Sequence, residues 1–553
     1  MDNQPGIMVI QLDGLGRDVL TRALRRRIMP FTRRLLRRGG YLSIPTRSGV
    51  PASTPAFQAR LFYGVRSPLP GFRWFEKGSG RVRVMKNYAD INSVRERLPE
   101  RLGLMRGGAV YGAFFSGGAA RAYFTPGQRS PGYLAGPMGL RGLPWLMLAN
   151  LRSTARILGL SLYELWLELL DWLSALWRGM PRRGEGLFPF ERVATNAVLR
   201  EVTVLGALHE LRRGTPAVFI NLMSYDVMAH HRGPRSFSAM LALKALDTKM
   251  RRLWRAARRA PRPYEFYILS DHGQTPTVPF ERAAGRSLRE AIVEHELAAQ
   301  VAEVGEARYR ELVHSVSVLG HLRQLQALLP WPIGPLAGFL AHRIERRLPP
   351  AGSDEAAGCA ADLVVLPTSG LTHVYFRQHP GRPDLEEIER HHPGLVAHLV
   401  GLPGVRAAVG KRGSGAEIIG KAGRLLVGEG VTVLGDDPLA GAGPTEAIAR
   451  ELAELIAQQE SGDLVILAGK LERARLLGRG PIYANFLDEL GGHGGIEPPE
   501  QNTFLIAPAG RAGLFPEGCG PSELYRGLAR VRGLDGPEAA VATAAGAGAL
   551  APG

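Results

Sequence analysis

The chain has 553 residues, 59.9 kDa, 45% hydrophobic and 22% charged, an ordinary globular composition for two or more lobes or one large domain with insertions. Its two cysteines, Cys359 and Cys519, exclude a disulfide framework and a thiolate zinc cluster. Lys+Arg 69 against Asp+Glu 51 leaves +18, and runs such as Arg25, Arg26, Arg27 and Arg33, Arg34, Arg37, Arg38 suit anionic partners, although solvated basic helix faces account for the same charge.

An apolar strand begins almost at once, at 7–12, with no basic start or small-residue cleavage site ahead of it, so a standard export signal is not expected. No run of about 18 uncharged apolar residues predicts a spanning helix, and the expected location is cytoplasmic, with membrane association left open. Residues 1–130 form the first part of a core. A Leu- and Trp-rich helical insertion follows at 131–190. The second core part, 191–280, carries strands at 217–222 and 266–269. Residues 281–360 read as a second helical insertion, almost continuous helix as far as Pro330. The third core part, 361–530, has strands at 363–366, 464–467 and 503–507. Residues 531–553 are an Ala/Gly/Pro tail expected to be disordered. Short apolar strands alternating with longer amphipathic segments predict an α/β fold, with a central, mostly parallel sheet and helices on both faces.

Three strands run into acid: Leu12 into Asp13-Gly14, Leu222 shortly into Asp226, and Leu269-Ser270 into Asp271-His272-Gly273. In an open α/β sheet the carboxyl ends of the strands line the ligand crevice, so these acids are expected to converge. Asp226 and His230 are four apart, so one helical turn would point both the same way. Carboxylate and imidazole together suit a borderline cation such as zinc. His493 sits between glycines in Gly491-Gly492-His493-Gly494-Gly495, just before the last strand. Any one of these histidines reads as a surface or capping residue. Jointly, three Asp and three His at strand ends are enough to hold two divalent metal ions. In Val50-Pro51-Ala52-Ser53-Thr54-Pro55-Ala56-Phe57-Gln58, Thr54 beside Pro55 marks a helix start. It is either a cap or, next to metal, a nucleophile.

The order of these motifs resembles the alkaline phosphatase superfamily and, within it, the nucleotide pyrophosphatase/phosphodiesterase family. That family's middle motif reads Asp-x-x-Gly-His-x-x-Gly-Pro. Asp226, His230, Gly233 and Pro234 keep the spacing, with Ala229 in place of the first Gly. The resemblance covers roughly 1–75, 215–275 and 485–510. It implies one zinc on Asp226, His230 and His493, a second on Asp13, Asp271 and His272, Thr54 as nucleophile beside it, and a structural role for Asp247. The implied activity is a two-metal phosphohydrolase of phosphodiesterase/pyrophosphatase type, working through a covalent phospho-enzyme. The phosphate-clamping Asn of the family is not evident after Gly64, where Arg73, Lys77 or Asn87 could substitute. A sulfatase is excluded because Thr54-Pro55-Ala56-Phe57 lacks the Cys/Ser-x-Pro-x-Arg setting.

Other signals are discounted. Gly415–Ala422 nearly matches a phosphate-binding loop, but Ala422 replaces the hydroxyl residue, so it reads as strand and turn. Gly14-Leu15-Gly16 lacks the third glycine of a dinucleotide fingerprint, and His391-His392 reads as surface. In the first insertion, 161–177 puts Glu164, Glu168 and Asp171 on one stripe among Leu and Trp, either a packed hairpin or a lid or interfacial helix. The expected partner is a phosphate ester, nucleotide or lipid-like, with membrane-surface contact open and a nucleic acid polymer disfavoured. The alternatives are a head-group transferase of the same superfamily and a non-catalytic membrane-surface binding protein.

Overall fold

The computed structural model describes residues 5–125, 151–177, 188–295, 301–303, 338–339, 342–343, 362–379, 381–471 and 481–534. The tail from 535 onward, Cys359 and most of the second insertion lie outside the described residues.

The first strand, Gly6–Leu12, is apolar at nearly every position because both its faces are covered. It pairs in parallel with Ala217–Leu222 on one side and Tyr264–Leu269 on the other. The central sheet has seven strands in the order Tyr41–Arg47, Asn502–Pro508, Tyr264–Leu269, Gly6–Leu12, Ala217–Leu222, Ala109–Tyr111, Arg121–Tyr123. Only Asn502–Pro508 runs against the rest. Alternation of side chains divides the core in two. Ile7, Val9 and Phe219 pack with Phe57, Phe62 and Leu528. Met8, Ile10 and Ile220 pack with Val19, Leu243 and Met250 on the opposite face. The expected α/β class, mostly parallel with helices on both faces, is what forms.

Two of the expected core strands belong elsewhere. Leu363–Pro367 and Leu464–Ala468 lie in a second sheet of eight strands, with Val301–Glu303, Leu371–Phe376, Val405–Arg412, Gly415–Ile419, Gly423–Val427 and Val431–Gly435. All its pairings are antiparallel except that of Val301–Glu303 with Leu363–Pro367. Its inner strands too are buried on both faces, against Leu395 and Leu399 on one and Leu452 and Leu455 on the other, while Val431–Gly435 is an exposed edge. A doubly covered strand reads as a plain apolar run in either sheet, so the sequence pattern alone could not sort them. The expected third core part therefore divides, with Asn502–Pro508 as its contribution to the central sheet. Gly415–Ile419 is a strand followed by a turn, as expected, and His391 is exposed. His392 is instead buried, with its ring 4.8 Å from that of Phe376.

The first insertion contains a helix, Leu151–Trp177, followed by Phe188–Val193. Glu164, Glu168 and Asp171 turn inward, where Arg192 meets them at 2.9, 2.7 and 2.9 Å. Asp247, on the helix Phe237–Ala257, is structural, as the resemblance implied. Its carboxylate accepts from the Phe31 and Thr32 amides at 2.8 and 2.9 Å and from the Thr32 hydroxyl at 2.7 Å. It thereby caps the helix Pro30–Arg38 from outside, since Met29 supplies no side-chain cap. Asp247→Ala leaves these buried donors unpaired and is expected to lower unfolding free energy by about 2–3 kcal/mol in urea denaturation. A change under about 0.5 kcal/mol would reject that role.

Candidate functional site

Because Gly6–Leu12, Ala217–Leu222 and Tyr264–Leu269 are parallel, their carboxyl ends share one edge, where Asp13, Asp226 and Asp271-His272 emerge. Asp226 follows its strand by one turn, on the helix Ser224–Arg232, which places His230 above it with Nε2 to Oδ2 at 3.6 Å. His493 reaches the same edge for a different reason. It precedes its strand of the central sheet instead of following one, and Asn502–Pro508 is the antiparallel member, so its amino end is the end that lies there. Tyr41–Arg47 runs parallel to the first strand's direction and delivers the loop that ends in Ser53, the N-cap of the wholly buried helix Thr54–Tyr63. All seven expected site residues come together.

They form two triads. The ligand atoms of Asp226, His230 and His493 lie within 4.8 Å of one another, as do those of Asp13, Asp271 and His272. Thr54 Oγ1 donates to Asp13 Oδ1 at 3.2 Å and is 3.2 Å from His272 Nε2. The two triads are adjacent: a Cβ at Gly14 would lie 2.3 Å from Asp226 Oδ1, while the Gly14 amide donates to Asp271 at 3.2 Å.

The histidine orientations are specific. Nδ1 of His230 donates to the Gly491 carbonyl at 3.0 Å, Nδ1 of His272 to the Gly273 carbonyl at 3.0 Å, and Nδ1 of His493 to the Ala52 carbonyl at 2.7 Å. With Nδ1 donating outward, each ring aims its Nε2 into the site, as a lone pair whenever the ring is neutral. Two of these, on His230 and His493, face each other at 3.1 Å. Lone pairs that close repel unless a proton or a cation sits with them.

The carboxylates have the same need. Burial pushes the Asp13 carboxyl well up, and Asp271 and Asp226 add to it. Burial, then Asp226, pushes Asp271 to about 7. Burial opposes the charge on Asp226 too, but the imidazoles of His230, His272 and His493 outweigh it and hold that group low. Burial likewise opposes charge on His230, yet Glu489 and Asp226 raise it to about 9, whereas burial keeps His272 and His493 neutral. Among the described residues, no Lys or Arg pairs with Asp13, Asp226 or Asp271, and Asp271 Oδ2 has no hydrogen-bond partner. Buried anions without a cation are costly, so the donor set fits two divalent ions.

Several supporting residues were not anticipated. Asn221 donates to Asp13 at 2.7 Å, Gln274 to Asp226 at 2.6 Å, and Glu489 stands 3.1 Å from His230 Nδ1. The Ser369 hydroxyl accepts from the His493 amide at 3.1 Å and Gly370 donates to the His493 carbonyl at 2.9 Å, so a turn of the second sheet fixes the histidine loop. Asn221 left a sequence signal, a polar residue inside a buried apolar strand, but Ser369 left none. The three candidate substitutes for the phosphate-clamping Asn each have another partner. Arg73 donates to the Pro367 carbonyl, Lys77 pairs with Asp463 at 2.6 Å, and Asn87 caps the helix Tyr88–Glu96.

A family model described as type I phosphodiesterase / nucleotide pyrophosphatase matches residues 165–315, the segment that carries Asp226, His230, Asp271 and His272. The resemblance read from the motifs thus has independent support. No curated protein matches the sequence. Among solved structures, phosphonoacetate hydrolase from Sinorhizobium meliloti 1021 in complex with phosphonoformate is 13% identical, with a TM-score of 0.44 and 96% of each chain covered. Murine ectonucleotide pyrophosphatase / phosphodiesterase 5, in an inactive form with AMP, is 12% identical with a TM-score of 0.43, covering 96% of this chain and 95% of that one. The human counterpart is 10% identical with a TM-score of 0.41 over the same shares.

Gly14 has φ +71° as well as the close approach to Asp226. Gly14→Ala is expected to cost about 2 kcal/mol in thermal or urea unfolding, from the left-handed backbone and the displaced carboxylate. Gly78→Ala, where a Cβ meets nothing within 4 Å, is the control. Equal melting of the two variants would show that the site tolerates a side chain at Gly14.

Proposed function

We propose that the protein is a two-metal phosphoric ester hydrolase that cleaves phosphodiester or pyrophosphate bonds, with Thr54 as nucleophile. The observation that carries this reading is the hydroxyl of Thr54 at the start of a buried helix, 3.2 Å from both Asp13 and His272, beside donors for two cations. The family match over residues 165–315 supports the same reaction class.

Asp226, His230 and His493 would hold one ion and Asp13, Asp271 and His272 the other. Divalent cations bound there, zinc by the preference of the donor set, would neutralise phosphoryl charge and make the Thr54 hydroxyl and water better nucleophiles. The chain's own groups do the rest. Asp13 Oδ1 accepts the Thr54 hydroxyl hydrogen, which turns an oxygen lone pair toward the substrate. The helix Thr54–Tyr63 directs its amino end, with its partial positive charge, at the phosphoryl group. In-line attack forms the bond from Thr54 Oγ1 to phosphorus as the bond to the leaving oxygen breaks, and the proton lost from the Thr54 hydroxyl ends on that leaving oxygen. Water then cleaves the phospho-threonine and restores the hydroxyl. Asn221 and Gln274 fix the carboxylates of Asp13 and Asp226, and Glu489 fixes the ring of His230.

Purified zinc-loaded protein is expected to hydrolyse a chromogenic phosphodiester faster than the matching monoester, and Thr54→Ala to lose about 10³-fold or more in rate. Retained turnover in that variant would remove Thr54 from the mechanism. Asp226→Ala is expected to lose about one bound zinc ion per chain by metal analysis, and full retention would overturn the ligand assignment. Glu489→Gln is expected to weaken zinc retention against a chelator by about tenfold while leaving the stoichiometry intact. An unchanged chelation curve would show that Glu489 does not orient His230.

A further inference from the structure

The helix Leu151–Trp177 is arranged inside out. Leu158, Leu162, Trp166, Leu169, Leu173 and Trp177 fall within a stripe about 100° wide at helical spacing. All six are exposed, from 44% upward, with Leu162 at 69% and Trp177 at 91%. The acids Glu164, Glu168 and Asp171 lie on the opposite side and are taken up by Arg192, which is 1% exposed. Arg232 also pairs with Glu168, and the Ser238 hydroxyl donates to Asp171 at 2.9 Å. From 157 to 177 these are the only charged residues, so the outward face carries no charge at all.

Neutralised acids change what this face can meet. Left on the surface, they would repel an anionic layer. Turned onto Arg192 and Arg232, they leave an apolar, Trp-bearing strip bounded in sequence by bases: Arg152 and Arg156 before it, and Arg178, Arg182 and Arg183 after it, with no acid between Trp172 and Gly184. Phe237, 72% exposed and next to Ser238, extends the apolar surface. No described helix is long and apolar enough to cross a membrane. A helix of this length, about 40 Å, with an apolar face, interfacial Trp and flanking Arg, lies flat at a lipid–water boundary.

We infer that this face docks onto an anionic bilayer surface, Leu and Trp entering the acyl boundary, with the bases that adjoin it in sequence favouring an anionic layer. The docking stands apart from turnover at Thr54, although Arg232 belongs to the helix that carries Asp226 and His230 and so ties the docked face to the candidate site.

The test is flotation of the purified full chain with vesicles of equal parts phosphatidylcholine and phosphatidylglycerol. The comparison is a triple variant, Leu162→Glu, Leu169→Glu and Leu173→Glu, with circular dichroism and melting to check its folding. The native chain is expected to float and to shift its Trp emission to the blue, and the variant's bound fraction to fall about tenfold or more. Equal flotation of chain and variant would overturn the inference. So would a native chain that stays unbound and is dimeric where the variant is monomeric, which would assign the face to a second copy. A native chain that stays unbound while the variant melts lower would assign the face to the protein's own remaining segments, and would likewise overturn it.

Discussion

Three carboxylates at one sheet edge, Asp13 and Asp271 buried and Asp226 half-buried, with no Lys or Arg paired to them among the described residues, are the constraint on which the rest of this site depends. Asp13, Asp226 and Asp271 repel one another through a low-dielectric interior, and of the imidazoles beside them His272 and His493 offer Nε2 lone pairs while Glu489 and Asp226 draw a proton to His230. Such an arrangement is unfavourable by itself. The surrounding structure holds it by packing and by neutral hydrogen bonds, from Asn221, Gln274 and the Gly14 amide, that orient the oxygens without cancelling their charge. Carboxylates left without Lys or Arg partners are what suit this pocket to cations.

The sheet topology supplies the geometry. Parallel strands bring residues that follow strands to a common edge, which accounts for the three acids and His272. The single reversed strand brings a residue that precedes a strand to that edge, which accounts for His493. The second sheet then contributes support instead of ligands: the turn at Ser369 and Gly370 holds the histidine loop by two hydrogen bonds. A glycine-flanked loop has little shape of its own, so an external clamp is what gives His493 a fixed place.

The first insertion shows charge pairing acting at a distance from the site. Three acids from one helix converge on the buried Arg192, and those acids face inward onto Arg192 together with Arg232 and Ser238. The pairing decides which face of the helix is covered. An amphipathic stripe in sequence shows that two faces differ, and the usual expectation is that the polar one meets water. Here the partner's charge reverses that choice.

Sequence alone determined the chemistry of the site. Asp13, Asp226, Asp271 and His272 were legible because each sits at or just past the end of an apolar strand, and strand direction in an α/β sheet is constrained. Asp226 with His230 was legible because four residues is one helical turn. Thr54 was legible because Pro55 marks a helix start. Tertiary structure decided what local pattern cannot carry. Strands at 363–366 and 464–467 joined a second sheet because an apolar run buried on both faces looks the same in either. Arg73, Lys77 and Asn87, read as candidates for holding phosphate, were drawn to Pro367, Asp463 and a helix cap by neighbours hundreds of residues away or by a local turn. Ser369 and Glu489 entered the site because long-range contacts, which leave no periodicity in the chain, set who stands next to a histidine.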